Sequence, residues 1–269
     1  STLDRSSAAS DVYKRQAYIQ SGANVITTNS YAVVPFHIGE ARFAAEGQAL
    51  AALAGELARR AVQASSQTVR VAGSLPPLFG SYRPDLFEAG RVSELLTPLV
   101  NGLAPHVDLW LAETQSSIVE ARAIHAGLPQ DGKPFWLSFT LKDEDTDEVP
   151  RLRSGEPVAD AAEAAAQLGV AVLLFNCSQP EVIGAAIDTA RQTFERLGVS
   201  IQIGAYANAF PPQPKEATAN DGLDPLRDDL DPPGYLHWAA DWQARGASHL
   251  GGCCGIGPEH IAVLAQKLA

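Results

Sequence analysis

The run Val170-Ala171-Val172-Leu173-Leu174-Phe175-Asn176-Cys177 indicates how this chain folds. Apolar residues fill it without polar alternation, and it ends in an amide and a thiol. Short continuous apolar runs are typical of parallel strands that are covered on both faces. The sequence predicts seven such strands, at Asn24–Tyr31, Val69–Leu75, Leu109–Thr114, Phe135–Leu141, Val170–Cys177, Ser200–Asn208 and Ala247–Cys253.

Amphipathic stretches rich in alanine and leucine separate these runs, and their apolar residues recur at helical spacing. The helices predicted after the strands are Gly39–Ala64, Arg91–His106, Ser117–Ala126, Val158–Leu168, Pro180–Leu197, Gly234–Arg245 and Pro258–Leu268. One further helical stretch, about Asp11–Ser21, precedes the first strand. The chain is therefore predicted to be an α/β protein in which strand and helix alternate.

Two architectures fit this alternation, an open doubly wound sheet and a (β/α)8 barrel. Doubly wound folds usually carry a glycine-rich phosphate loop, and the sequence has neither G-x-G-x-x-G nor a Walker A pattern. The chain length and the even repeat favour the barrel. Ser1–Lys14 contains no convincing apolar run. The predicted fold is thus a (β/α)8 TIM barrel lacking its first strand, with an atypical segment at residues 1–16 and the barrel domain at residues 17–269.

Polar and thiol side chains gather at the carboxyl ends of the predicted strands, where barrels place their chemistry. They are Thr28-Asn29-Ser30, Glu113-Thr114, Cys177, Tyr206-Ala207-Asn208 and Cys253-Cys254. The long connections lie on the same side, at Leu75–Gly90, Lys142–Pro157 and Pro211–Pro233. This asymmetry predicts that the active-site mouth is at the carboxyl end of the sheet.

The chain has three cysteines, Cys177 and the adjacent pair Cys253 and Cys254. Adjacent cysteines cannot easily form a disulfide without straining the peptide between them. Three thiolates from two strand ends suit a tetrahedral Zn²⁺ with one open position, which is typical of a catalytic zinc site. The alternative is three buried thiols. The odd, clustered cysteines also predict a reducing compartment, and hence a cytoplasmic location.

The composition of the chain argues against several classes of partner. The 269 residues are 46% hydrophobic and 19% charged, with a net charge of -11. That charge argues against nucleic acid or an anionic membrane as the main partner. No apolar run is long enough to span a bilayer. Two acidic loops, within Lys142–Glu148 and Asp221–Asp231, are either solvated or form an anionic rim that favours a cationic substrate.

A set of motifs resembles the homocysteine S-methyltransferase family over about residues 17 to 268. The motifs are Gly251-Gly252-Cys253-Cys254-Gly255, Asn176-Cys177, Asn24-Val25-Ile26-Thr27-Thr28-Asn29-Ser30-Tyr31, Ala112-Glu113-Thr114, Ser138-Phe139-Thr140-Leu141, Ala72-Gly73-Ser74 with Gly80-Ser81-Tyr82-Arg83, and Tyr206-Ala207-Asn208. The resemblance implies a zinc-dependent barrel that methylates the thiol of homocysteine to give methionine. It implies a small cationic methyl donor of the S-methylmethionine, S-adenosylmethionine or betaine type.

The resemblance also implies roles for single residues. Cys177, Cys253 and Cys254 would bind zinc, with the homocysteine sulfur as the fourth ligand, and Glu113 would bind the substrate's amino group. Thr28 and Asn29 would shape the amino-acid pocket and Asn208 would orient a polar substrate group, although a structural role is equally compatible with each. The aromatic rings of Phe79 and Tyr82 would either meet a cationic donor or pack their loop.

This chain departs from the family at its start, where the resemblance calls for a first strand carrying Asp-Gly-Gly. The leading interpretation is an enzyme acting on homocysteine and a small methyl donor. The alternatives are methylation of a related thiol or selenol, and an incomplete zinc-binding barrel without catalysis. An incomplete barrel also has two free strand edges, which are compatible with a homo-oligomer.

Overall fold

Seven parallel strands form one curled sheet. The computed structural model describes residues 2–143, 149–211 and 226–269, with side chains from Ala9 onward. The strands are β1 (Val25–Thr27), β2 (Arg70–Leu75), β3 (Leu109–Gln115), β4 (Phe135–Phe139), β5 (Val172–Asn176), β6 (Gln202–Tyr206) and β7 (His249–Leu250). Each strand pairs with the next in chain order, so all seven predicted strands are confirmed. No ladder joins β1 to β7 in the described residues, and the sheet is an open half-barrel, not a closed barrel.

Helices follow the strands as the apolar spacing predicts. They are α1 (Thr2–Gln20), α2 (Pro35–Ile38), α3 (Glu40–Gln63), α4 (Val92–Leu103), α5 (Ile118–Ala126), α6 (Val158–Gln167), α7 (Pro180–Leu197), α8 (Pro232–Ala244) and α9 (Pro258–Leu268). Four of these helices, α2, α7, α8 and α9, carry proline in the first turn, where its missing N–H leaves no helical hydrogen bond unmade. In the described residues, no helix is long and apolar enough to cross a membrane.

Strand β5 shows why its sequence is a continuous apolar run. Val172 and Leu174 face the inside of the curl and belong to a small inner cluster. The other members of that cluster are Ala72, Leu109, Leu111 and Trp136. Leu173 and Phe175 point the opposite way and pack against the helices in the larger core. Because both faces are buried, neither set of alternating positions is polar.

Helix α1 lies between α3 and α9, the helices that follow the two edge strands. The Tyr18 hydroxyl donates a 2.9 Å hydrogen bond to the carbonyl of Ile256. Gly22, at φ +102°, lies so close to α9 that an added Cβ would stand 2.6 Å from the Cβ of Ala265. The helix begins upstream of the predicted Asp11 and runs through the boundary predicted between residues 16 and 17.

A buried carboxyl group lies in the first turn of α5. Glu120 Oε2 accepts hydrogen bonds of 2.9 Å from the Ser116 amide and from the Ser117 hydroxyl. Its other oxygen, Oε1, has no hydrogen-bond partner among the described residues. Burial raises the pKa of Glu120 to about 7, and the nearby charge of Glu156 adds to the effect. The negative form of this side chain is therefore disfavoured in the folded protein.

Replacing Glu120 by glutamine should change how stability depends on pH. The folded pKa of about 7 lies above the unfolded value of 4.5. The stability that Glu120 contributes is therefore fully present below pH 4.5 and is lost as pH rises through 7, on the order of 3 kcal/mol. Glu120→Gln should be more stable than the unsubstituted protein at pH 8 and lose that advantage toward pH 5, measured by urea unfolding. Glu88→Gln, at an exposed position, is the control, and equal pH slopes for all three proteins would contradict the assignment.

Candidate metal and substrate site

The three cysteines meet at the carboxyl end of the sheet. Cys177 follows β5, and Cys253 with Cys254 follows β7, on the far side of β6. Their sulfur atoms all lie within 4.8 Å of one another, and the Sγ atoms of Cys253 and Cys254 are 3.9 Å apart. None of the three forms a disulfide. Cys177 thus forms one compact thiol cluster with an adjacent pair of cysteines that begins 76 positions further along the chain.

Backbone hydrogen bonds hold the segment that carries the adjacent pair. The Cys253 amide donates to the Ala207 carbonyl at 2.9 Å, and the Cys254 carbonyl accepts from the Ala209 amide at 2.9 Å. Gly252 is required here because a Cβ would stand 2.1 Å from Ile256. The segment therefore continues the β6–β7 pairing past the end of β7, and the tight turn aims both thiols at Cys177.

The thiols share their protons unevenly. Hydrogen bonds from Cys177 and Cys253 lower the pKa of Cys254 to about 3, so this sulfur carries the negative charge. The pKa of Cys253 is raised well above its usual value by hydrogen bonding to the other two thiols and by burial. At Cys177, hydrogen bonding with Cys253 lowers the pKa, but the contact with Cys254 and burial outweigh it. The metal-free cluster therefore loses its first proton more readily than a free thiol does and its other protons less readily.

The geometry of the cluster fits a tetrahedral zinc ion. A Zn–S distance of about 2.3 Å and tetrahedral angles require sulfur atoms about 3.8 Å apart. The 3.9 Å separation of Cys253 and Cys254 meets that requirement, and the third sulfur lies within 4.8 Å. Three soft sulfur donors are also the ligand type that zinc accepts. In the described residues no other group of three or more histidine, cysteine or acidic side chains is close enough to hold a metal.

A buried carboxylate lies at the same end of the sheet. Glu113, on β3, is 9% exposed and accepts hydrogen bonds from the hydroxyls of Ser74 and Tyr206, the latter at 3.3 Å. Burial raises the pKa of Glu113, while the two hydroxyl donors oppose that rise and the negative charge of Cys254 adds to it. The carboxylate is therefore held in one orientation, close enough to the thiol cluster to sense its charge.

A β-bulge aims Glu113 into the mouth. The ladder between β3 and β4 pairs Ala112 with Leu137 and then Gln115 with Phe139, so two β3 residues lie opposite Ser138 alone. Bulges of this kind turn a side chain away from its regular direction and are common near active sites.

Thr114, the second bulge residue, has φ +59°. The left-handed region costs an L-residue on the order of 1–2 kcal/mol and is rare for a β-branched side chain. The Thr114 amide donates to Asn176 Oδ1 at 3.0 Å, and Asn176 Nδ2 donates to Thr114 Oγ1 at 2.8 Å. The strained residue is therefore held by the amide side chain that directly precedes Cys177.

The three other residues predicted to line the substrate pocket, Thr28, Asn29 and Asn208, differ in burial and in hydrogen bonding. Thr28 is buried, where its Oγ1 accepts a 3.0 Å hydrogen bond from the Ser74 amide, so it supports the residue that contacts Glu113. Asn29 is exposed at the rim. Asn208 is buried, and its Oδ1 accepts hydrogen bonds of 3.2 Å from Gln179 Nε2 and from the Phe210 amide. In this structure Thr28 and Asn208 already bond to the protein itself.

The two loop aromatics are packed against protein groups. Phe79 meets Phe87 edge to face, with ring centroids 5.6 Å apart. The guanidinium of Arg153 lies 4.9 Å from the centroid of the Tyr82 ring, and Arg153 also forms a 2.8 Å ion pair with Asp143. One face of Tyr82 therefore already holds a cation from the protein.

The acidic loops lie partly outside the described residues. Asp143 pairs with Arg153, Asp229 pairs with Arg227 at 2.6 Å, and Asp231 caps α8 by accepting from the Gly234 amide at 2.9 Å. The other acidic residues that the sequence placed in these two loops and that lie outside the described residues are Glu144, Asp145, Asp147, Glu148, Asp221 and Asp224. The negative charges of Asp143 and Asp229 are each paired with an arginine, and Asp231 is engaged as a helix cap. These three residues therefore contribute little to an anionic rim.

The sequence assigned no role to Ser74, Asn176 or Tyr206, although each contacts Glu113 or the bulge. The strand pattern could have indicated two of them. Asn176 lies two positions after Leu174 and four after Val172, so it points to the same inner face of the sheet as these residues. Tyr206 packs against the same inner cluster. An inward polar residue at the carboxyl end of a buried strand is a candidate contact of the site.

Comparison with known proteins places this arrangement in a family. The model of the homocysteine S-methyltransferase family matches residues 5–268. Homocysteine S-methyltransferase 3 of Arabidopsis thaliana is 27% identical over 288 residues, covering 94% of this chain and 78% of the relative. Homocysteine S-methyltransferase of Escherichia coli (strain K12) is 29% identical over 280 residues, covering 93% and 81%. Homocysteine S-methyltransferase 4 of Zea mays is 25% identical over 287 residues, covering 93% and 77%. The chain therefore belongs to the homocysteine S-methyltransferase family and is a methyltransferase.

Proposed function

We propose that this protein transfers a methyl group from a small cationic donor to the thiol of homocysteine, giving methionine, with zinc bound by Cys177, Cys253 and Cys254. The observation that carries the proposal is the thiol cluster beside the buried Glu113 carboxylate, in a chain of this family. The cluster suits a metal that binds a substrate thiol. The carboxylate suits an amino group on the same substrate.

The thiol cluster would hold zinc with one position open for the substrate. When bound, zinc would supply the positive charge that keeps a coordinating thiol deprotonated at neutral pH, where a free thiol is mostly protonated. Cys254 offers its thiolate without losing a proton, since its pKa is about 3. Cys177, buried beneath the mouth, and the partly exposed Cys253 supply the other two sulfur ligands.

Glu113 would bind the ammonium group of homocysteine. Hydrogen bonds from Ser74 and Tyr206 hold the carboxylate, and burial makes a charge-assisted hydrogen bond to an ammonium stronger than it would be in water. Two anchors, one for sulfur and one for nitrogen, fix the orientation of a small amino acid. Fixing the orientation of the reacting sulfur lowers the entropic part of the activation barrier.

The reaction forms a bond between the homocysteine sulfur and the methyl carbon. It breaks the bond from that carbon to the cationic sulfur or nitrogen of the donor, and the electron pair of that bond leaves with the now neutral donor atom. The net charge of -11 favours the approach of a cationic donor from solution. The donors we propose are of the S-methylmethionine, S-adenosylmethionine or betaine type.

Zinc content and turnover test the proposal together. The purified protein should contain about one zinc per chain, as three thiolates with an open position require. It should form methionine from homocysteine with at least one donor of the panel. Changing all three cysteines to alanine should abolish both. Zinc without turnover on any donor would favour a non-catalytic zinc-binding protein, an alternative supported by the open edge between β1 and β7.

Proton release should report the uneven ionisation of the cluster. Because Cys254 is already ionised at pH 7 and the pKa values of Cys177 and Cys253 are raised, zinc binding to the metal-free protein should displace about two protons. Calorimetric titration in buffers of different ionisation enthalpy measures this number. Release of about three protons would show that Cys254 is protonated before the metal binds.

Glu113→Gln should separate substrate binding from metal binding. Loss of a charge-assisted hydrogen bond in a buried site should raise the KM for homocysteine about tenfold or more, with zinc content unchanged. Because burial raises the pKa of Glu113, kcat/KM should fall on the acid side as this carboxylate is protonated, and the Gln variant should lose that limb. Glu120→Gln, a second buried carboxyl at this end of the sheet, is the matched control. Equal losses of zinc and of homocysteine affinity in Glu113→Gln would place Glu113 with the metal or the fold instead.

A further inference from the structure

We propose that Asn176 is a positioning residue that links the carboxylate of Glu113 to the metal ligand Cys177. Its side chain holds the bulge in β3, and its backbone leads directly into Cys177. The inference rests on the proposed function for the role of Glu113. The two hydrogen bonds between the Asn176 side chain and Thr114, which we call the clamp, are a feature of the fold.

The bulge leaves one backbone amide without a regular partner in the sheet. The Thr114 N–H donates to the side-chain oxygen of Asn176 at 3.0 Å instead of to a β4 carbonyl. Thr114 is 1% exposed and Asn176 is fully buried, so water cannot replace this acceptor. A buried amide without an acceptor is strongly disfavoured. Without Asn176 the bulge would therefore rearrange.

The remaining bonds of Asn176 fix the orientation of its amide. Nδ2 donates to Thr114 Oγ1 at 2.8 Å, and Oδ1 accepts a second hydrogen bond from the Ser138 hydroxyl at 2.6 Å. A flipped amide would face the Thr114 N–H with its own donor group. Backbone and side chain of Thr114 are thus held by the same group, which is what a β-branched residue at φ +59° requires.

The position of Asn176 in the chain makes it a link between the two halves of the site. It directly precedes Cys177, which itself has φ +50°. Its side chain accepts a hydrogen bond from Thr114, the residue that follows Glu113. The hydrogen bonds run from β5 to β3 across Ser138 of β4. A shift of this amide would move the carboxylate relative to the sulfur cluster, and the distance between two anchors decides whether one small substrate can reach both.

Homocysteine binding to the zinc-loaded protein tests the link. Asn176→Ala should weaken binding about tenfold or more, the effect typical of losing a residue that orients a ligand-binding group. Zinc content should stay unchanged. Thr114→Gly in the Asn176→Ala background should recover about threefold or more, because glycine adopts positive φ without support. Ser138→Ala removes a bond to the same oxygen and a contact with Tyr206 but spares both bonds to Thr114, so it should weaken binding less than Asn176→Ala does.

Two further measurements keep the inference falsifiable if Asn176→Ala folds poorly. Thr114→Val keeps the shape of the side chain but removes the acceptor of Asn176 Nδ2 and a contact with Tyr31, so it should weaken homocysteine binding about threefold. Tyr31→Phe removes the second of these contacts and spares the first, so it should weaken binding less than Thr114→Val. Hydrogen–deuterium exchange of the segment 109–117 should be faster in Asn176→Ala than in Ser138→Ala, with or without zinc. Unchanged exchange and unchanged binding in Asn176→Ala would overturn the inference. A lack of homocysteine binding by the unsubstituted protein would overturn the proposed function instead, and the exchange result would then decide the clamp alone.

Discussion

The parallel hydrogen bonding from β5 through β6 to β7 is the constraint on which the site depends. Adjacent strands are about 4.8 Å apart, so the ends of β5 and β7 are separated by roughly 10 Å across β6. The bonds continue beyond the strands, from the Cys177 amide to the Tyr206 carbonyl and from the Cys253 amide to the Ala207 carbonyl. Both cysteine-bearing segments are thereby anchored to β6, and their side chains close the remaining gap. The curl of the sheet turns the strand ends toward one another, which lets the three sulfur atoms meet.

Backbone strain is concentrated at this end of the sheet. Among the described residues, the non-glycine residues with positive φ are Tyr82, Thr114 and Cys177. Each lies at the mouth, and Thr114 and Cys177 directly follow strand residues that face the site. Strained conformations persist where the surrounding structure determines them, and they are frequent at functional sites. Here Asn176 holds Thr114, and Cys177 is buried.

Most of the secondary structure could be predicted because it depends on near neighbours in sequence. The apolar run that ends at Cys177 and the helical spacing after it are local patterns, and the structure confirms them within a few residues. The thiol cluster was also predictable, because carboxyl strand ends of a parallel sheet meet at one edge. The open edge between β1 and β7 agrees with the missing first strand, which the absence of an apolar run in Ser1–Lys14 predicted. The full extent of α1 was not predicted, because a mostly polar helix has no strong apolar period.

The sequence by itself determined the order of strands and helices, the strand ends that carry chemistry and the thiols that suit a metal, because periodicity and residue type express these properties directly. Only the tertiary structure decided how the carboxylate is aimed. The bulge at Glu113 and Thr114 depends on Asn176, which lies 62 positions further along the chain. A hydrogen bond between such distant residues forms only when the sheet brings their strands together, so no local pattern announces it. The same holds for the lowered pKa of Cys254, which depends on two thiols that folding places beside it.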